Sequence, residues 1–240
     1  MKHAIYILLF CMTVNAQTNI SKVDSAFLPK LTGKTYIERK GYKGEQFLNK
    51  DWMEGDILLS TGVTIHVTKL KYNGLLDEVI WVNPSNFQQF VLDKSYINDF
   101  WFKKPTGQDI HFKRINVVVD PLVTSHSSDI FVEVKIEGKI SLYIQRKIVV
   151  VGDENIFQNG ALYLLESIGP TPLYYIKLPS NTYLTLSKVN RRAFLKLFPE
   201  QKKDINKLLR NNHLKFKSEN DFIQLIELLN KLNYFSPSNK

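Results

Sequence analysis

Phe131-Val132-Glu133-Val134-Lys135-Ile136-Glu137-Gly138-Lys139-Ile140-Ser141-Leu142-Tyr143-Ile144 is the stretch that decides the fold class. Phe131, Val132, Val134 and Ile136 run up to a Glu137-Gly138 turn and face Ile140, Leu142 and Ile144 on a return strand that continues to Val151. Successive side chains of a strand point to opposite faces, so two alternating runs around a glycine-containing break predict an antiparallel hairpin.

The same pattern extends outward from residue 56 to residue 186. Residues 56–60 lead to the turn Thr61-Gly62, after which Val63, Ile65 and Val67 alternate with Thr64, His66 and Thr68. Asn73-Gly74 separates Leu70-Lys71-Tyr72 from a return strand at 78–82, and Asn-Gly readily adopts the positive φ values of a tight hairpin turn. Asn83-Pro84-Ser85-Asn86 breaks the chain before strands at 87–92 and 96–102, and Pro105-Thr106-Gly107 ends that pair. Further strands are expected at 161–166, 173–177 and 182–186. No helical period interrupts them, so parallel crossovers are not expected.

From Ser187 the period becomes helical. Ser187 is expected to cap a helix whose Val189, Ala193, Phe194 and Leu197 share a face; Phe198-Pro199 ends it and begins a second, carrying Ile205, Leu208 and Leu209 and stopping at Asn211-Asn212. Ser218 stands three residues before Asp221, a variant of the capping box, and Phe222, Leu225, Ile226, Leu229 and Leu232 follow as one stripe. The expected fold is therefore α+β: an antiparallel twisted sheet or open half-barrel with two or three C-terminal helices. Four regions are expected: a signal peptide at 1–16, an irregular leader at 17–51, a β-rich domain at 52–186 and a basic helical region at 187–240. Phe27, Tyr36, Tyr42 and Phe47 would pack the leader onto the body.

The signal peptide rests on Lys2 and His3, an apolar run over 4–12, and Thr13-Val14-Asn15-Ala16, with cleavage between Ala16 and Gln17. A membrane span needs about 20 apolar residues, twice what is present. Lipidation of Cys11 would require a small residue before it, where Phe10 stands. Cleavage removes the single cysteine, which excludes disulfides, thiolate catalysis and cysteine metal sites from the mature chain. The expected location is periplasmic, outer-membrane associated or extracellular. With 44% hydrophobic residues the chain is long and apolar enough to bury one large core or two small ones.

The charge is concentrated. Between Lys188 and Lys217 ten Lys or Arg stand against Glu200 and Asp204, so nearly all of the formal net charge of +9 belongs to this stretch.

Trp52-Met53-Glu54-Gly55-Asp56-Ile57-Leu58-Leu59, Leu70-Lys71-Tyr72-Asn73 with Asp77 beyond it, Leu197-Phe198-Pro199-Glu200, and Leu214-Lys215-Phe216-Lys217 leading into the helix over 222–232 form a set. In these stretches the chain resembles a group of uncharacterised exported proteins of Bacteroidota. The resemblance implies a cell-envelope location and supplies no catalytic residue.

Motifs for chemistry are weak. Ser125-His126-Ser127-Ser128-Asp129 holds the letters of a hydrolase triad, but a triad needs His to bridge groups from separate elements, and a polar turn is the expectation. Gly33-Lys34-Thr35 lacks the glycine five residues earlier that a phosphate-binding loop requires; Leu28 stands there. His66, His111, His126 and His213 have no metal-ligand spacing, and His66 and His111 are expected on solvent-facing strand positions. Glu78, Asp109, Asp120, Asp129, Glu133 and Glu137 offer carboxylates without a defined pair. Trp52, Trp81, Trp101, Phe87 and Phe102 either fill a sheet core or line a ligand groove.

No catalytic, cofactor or metal residue is expected. The expected function is non-enzymatic binding of a ligand or partner in the cell envelope; a periplasmic hydrolase with a carboxylate or histidine site is the alternative. Lys202, Lys203, Lys207 and Arg210 are the expected contacts to an anionic surface: phospholipid head groups, lipopolysaccharide phosphates or an acidic envelope protein. Export argues against nucleic acid, and no transmembrane segment is expected in the mature chain.

Overall fold

The computed structural model describes residues 31–38, 41–118, 127–232 and 234. The expected cleavage site at Ala16 and Gln17 lies outside the described residues, as do Phe27, Asp120, Ser125 and His126.

Among the described residues the chain forms β1 (Gly33–Thr35), β2 (Tyr42–Lys43), β3 (Met53–Leu59), β4 (Thr64–Asn73), β5 (Glu78–Val82), β6 (Gln89–Leu92), β7 (Ile97–Phe102), β8 (Ile110–Val118), β9 (Ser127–Ile136), β10 (Ser141–Gln145), β11 (Ile148–Gln158), β12 (Ala161–Pro170), β13 (Leu173–Lys177) and β14 (Tyr183–Leu186). Helices α1 (Arg191–Leu197), α2 (Lys202–Asn211) and α3 (Glu219–Lys231) follow. The architecture is α+β. Eleven strands form one antiparallel sheet in the order β1-β6-β5-β4-β3-β7-β8-β9-β10-β13-β14, and β11-β12-β2 form a second.

The register explains where the cores lie. Leu142 opposes Ile176 and Ile144 opposes Tyr174, which in turn opposes Leu186, so these side chains share a face. Phe194 of α1, Leu209 of α2, Phe216, and Phe222, Leu225 and Leu229 of α3 bury that face. Each such side chain removed from water contributes roughly 1.5–3 kcal/mol. In the other half of the sheet Ile57, Tyr72, Phe100, Phe112 and Phe131 form a second core, in which the rings of Phe100 and Phe112 stack with centroids 4.8 Å apart.

Several local expectations are corrected. The return strand at 140–151 is two strands, β10 and the start of β11, interrupted at Arg146 and Lys147. The β9–β10 hairpin contains a bulge, with Leu142 opposite Ile136 but Tyr143 opposite Val134. The strand expected at 87–92 begins at Gln89, and Lys94–Tyr96 forms a one-turn 3-10 helix before β7. Ser127, Ser128 and Asp129 are strand residues paired with β8, not a polar turn, because Asn116 and Arg114 supply hydrogen-bond partners for Asp129. The short pair between β2 and β12 is parallel.

Asn73-Gly74 does not form a two-residue turn. Residues 74–77 all lie in the connection; the Asn73 side chain accepts the N–H groups of Leu75 and Leu76, and Asp77 takes the positive φ of 55°. Gly74 is required for a different reason: a Cβ there would stand 2.3 Å from the carbonyl oxygen of Arg146.

Helix α1 is capped by Asn190, whose side chain accepts the N–H groups of Arg192 and Ala193; Ser187 lies too early. Pro199 does not open α2, which starts at Lys202 after Gln201. The Ser218–Asp221 capping box is present in both directions.

Candidate functional site

The basic stretch folds around a groove of about 1080 Å³. Val189 and Pro199 give it apolar surface over the buried Leu195 and Phe216, and Arg191, Arg192, Lys196, Lys202, Lys215 and Lys217 bring six cations to it. None of its lining residues is acidic. Like charges gathered without counter-charges raise the potential of a concave surface, and a low-dielectric wall strengthens the effect.

Three local devices place these cations. On α1, Arg192 and Lys196 are four residues apart and therefore share a helix face, while Phe194 and Leu195 bury the other side. The Arg191 guanidinium donates to Asn206 Oδ1 at 2.9 and 2.6 Å, which fixes α1 to α2 and leaves Lys202 at the groove end of α2. Lys215 and Lys217 flank Phe216, which holds a φ of 52°, an uncommon conformation for a bulky residue. Packing stabilises it: the Phe216 ring lies 5.0 Å from that of Phe194 and 5.2 Å from that of Phe222. Strain of this kind persists where the surroundings over-determine it, and here it sets two lysines on either side of a buried ring.

Two acidic groups of the helical region, Asp221 and Asp204, are otherwise engaged. Asp221 accepts the N–H groups of Lys217 at 2.9 Å and Ser218 at 3.3 Å; these bonds and the charge of Lys215 hold its carboxyl below the usual range. Asp204 accepts the Tyr234 hydroxyl at 3.0 Å. Among the described residues Arg192, Lys196, Lys202, Lys215 and Lys217 carry no ion pair.

The four cations expected from sequence are thereby divided. Lys202 lines the groove, whereas Lys203, Lys207 and Arg210 are spaced by four and three residues along an exposed side of α2. The groove residues Arg191, Arg192, Lys196, Lys215 and Lys217 were present in the charge count but not singled out. Their signal was the pairing of cations with buried rings, Arg192 and Lys196 around Phe194 and Lys215 and Lys217 around Phe216.

A second hollow of about 490 Å³ is lined by Phe47, Leu48, Ile110, Ile148 and Pro172, with Glu133 and Arg146 in its wall. Arg146 pairs with both Glu133 and Glu219, and Lys135 joins Glu133 as well. This network consumes the charges it buries.

The histidines form two imidazole–carboxylate pairs. His66 Nδ1 lies 2.9 Å from Asp56 at a largely exposed position, and His111 Nε2 lies 2.8 Å from Asp99, with its ring stacked 4.6 Å from Trp101. His111 is thus partly covered rather than solvent-facing. Among the described residues no Ser or Thr hydroxyl bonds either imidazole, and no three His, Cys, Asp or Glu side chains converge as a metal set. The aromatic residues separate: Phe102 is core, Trp81 packs on Phe90, and Trp52 and Phe87 share a hollow of about 470 Å³ with Lys71. No helix among the described residues is long and apolar enough to cross a membrane.

No family model, curated protein or solved structure matches the chain.

Proposed function

We propose that this chain is an exported, non-enzymatic cell-envelope protein that binds a phosphate-bearing amphiphile in the helical groove. The observation that carries the reading is the joining of six cations and an apolar wall, without a carboxylate, in one recess. Cations alone would favour any polyanion; Val189 and Pro199 add an apolar surface for a hydrocarbon segment attached to the anion. The segment over 1–16 and the resemblance to exported Bacteroidota proteins support an envelope location, where phospholipids and phosphorylated glycolipids are the abundant anions.

The sheet belongs to the same reading as an open half-barrel that serves as the scaffold. In support, Asp77, from the β4–β5 connection, accepts the backbone N–H of Phe131 on β9 at 3.3 Å, although four strands separate β5 from β9 in the sheet order. The His111–Asp99 pair is the feature that favours a hydrolase, and it has no bonded hydroxyl nucleophile among the described residues.

Titration of the mature protein with dodecyl phosphate below its micelle concentration tests the proposal. Binding should weaken with added salt, and both inorganic phosphate and dodecyl maltoside should bind at least tenfold more weakly. Equal binding of the neutral detergent would refute the cationic component.

A further inference from the structure

The second sheet ends in an arm. β11 and β12 remain paired from Ile148 opposite Pro170 to Gln158 opposite Ala161, and Asn159 and Gly160 close the hairpin with φ values of 53° and 78°. Positive φ at both central residues is the geometry of a type I′ turn, whose twist matches that of the flanking strands. β2 pairs only with Glu166 and Ser167, so at about 3.3 Å per residue the hairpin continues for roughly 20 Å beyond that support.

Its end is apolar on both faces. The register sets Ile156, Tyr163 and Leu165 on one face and Phe157, Leu162 and Leu164 on the other. Phe157 is 76%, Leu162 67% and Leu164 57% exposed. An apolar patch projecting this far marks an interaction surface. A flat partner would cover one face and leave the other in water, so the complementary surface is concave.

The charge of the arm is one-sided. Between Ile148 and Pro170 there is no Lys, Arg or His, while Asp153, Glu154 and Glu166 are present in a chain of net charge +9. Glu154 pairs with Lys43 at 3.0 Å, and Asp153 and Glu166 have no ion pair among the described residues.

We propose that the arm of one copy docks in the helical groove of a second copy. The inference rests on reading the groove as a binding surface, and adds that a second copy is its occupant when no amphiphile is present. The arm supplies an apolar end with carboxylates behind it; the groove supplies Val189 and Pro199 with Arg192, Lys196, Lys202, Lys215 and Lys217 around them. Opposite charges across such a contact fix its orientation and suppress the arm-to-arm alternative, in which Asp153 and Glu154 would face their own kind. Because arm and groove are different patches, the contact is head-to-tail and leaves a free arm and a free groove at the ends of each assembly.

Sedimentation of the lipid-free mature protein over a concentration series tests this, with folding of each variant checked by circular dichroism. The wild-type average mass should rise with concentration, and dodecyl phosphate should return it to the monomer. Phe157→Asp with Leu162→Asp in the arm, and Arg192→Glu with Lys196→Glu in the groove, should each weaken association at least tenfold. Mixing the two variants should restore a complex that stops at two chains, since the mixture holds one intact groove and one intact arm. A monomeric wild type, a groove variant that assembles normally, or a mixture that stays monomeric would each overturn the inference. The arm variant should still bind dodecyl phosphate, so failure of docking and failure of the groove as an amphiphile site are read separately.

Discussion

Arg146 donates to Glu219 through two parallel N–H···O bonds of 2.8 Å, tying the residue after β10 to the first turn of α3. The fork geometry of guanidinium suits two carboxylate oxygens at once, and the same Arg146 also holds Glu133, whose side chain is only 9% exposed. Burial alone would raise the Glu219 carboxyl, but the hydrogen bonds and charge of Arg146, aided by Lys135, outweigh it and leave Glu219 below the usual range.

Arg146→Met should therefore destabilise the protein by about 3–5 kcal/mol, because it leaves Glu133 buried with Lys135 as its remaining cation. Arg146→Met combined with Glu133→Leu should lose less than Arg146→Met alone. Urea denaturation of the three proteins measures the difference, and equal losses would show that the charge left behind is not the cause.

Gly74→Ala should cost about 1–3 kcal/mol, since the new methyl would press on the Arg146 carbonyl at 2.3 Å and force the backbone apart. The shift would also disturb the bond from Ile148 N–H to the Gly74 carbonyl, 2.9 Å long. An unchanged denaturation midpoint would refute the close approach.

Asp77 responds to pH in the opposite sense to Glu219. Burial raises its carboxyl above the usual range despite Lys94 and Tyr72, which bond it at 2.6 and 2.7 Å. A carboxyl raised by folding binds its proton more tightly in the native state, so its contribution is greatest in acid and is lost as the pH rises through the raised value. The stability of the wild type relative to Asp77→Asn should therefore decline from about pH 4 upward. For Glu219 the contribution is present above the ordinary glutamate value and is lost on acidification through its lowered one. Denaturation across the acid range distinguishes the two slopes.

Ser218→Ala should lower stability by about 1 kcal/mol, because the hydroxyl accepts the Asp221 N–H at 3.1 Å and the helix it caps carries Phe222, Leu225 and Leu229 into the core. Thermal unfolding followed by far-ultraviolet circular dichroism reads the loss.

How far the sequence discloses the molecule is clearest at its two Asn-Gly pairs. Asn73-Gly74 has the pattern of a tight hairpin, yet the glycine is fixed by a carbonyl that arrives from 72 residues further along the chain, a contact no local pattern encodes. Asn159-Gly160 does form the two-residue turn, but the polar run Gly152-Asp153-Glu154-Asn155 before it hides the strand. Ser218 and Asp221 were legible because a capping box is satisfied within four residues. The charge of the tail was legible as composition. Its division into a groove and the separate Lys203, Lys207 and Arg210 side was not, since the packing of Phe194 against Phe216 brings α1 and the 215–217 segment together.

The groove as an amphiphile site is tested most directly by flotation of the protein with vesicles containing an anionic phospholipid. The wild type should float at low salt and be released at high salt, Arg192→Glu with Lys196→Glu and Lys215→Glu should bind at least about a hundredfold more weakly, and Lys203→Glu with Lys207→Glu should retain most binding. Equal flotation of the groove variant and the wild type, or loss of flotation only in the Lys203 and Lys207 variant, would contradict the account.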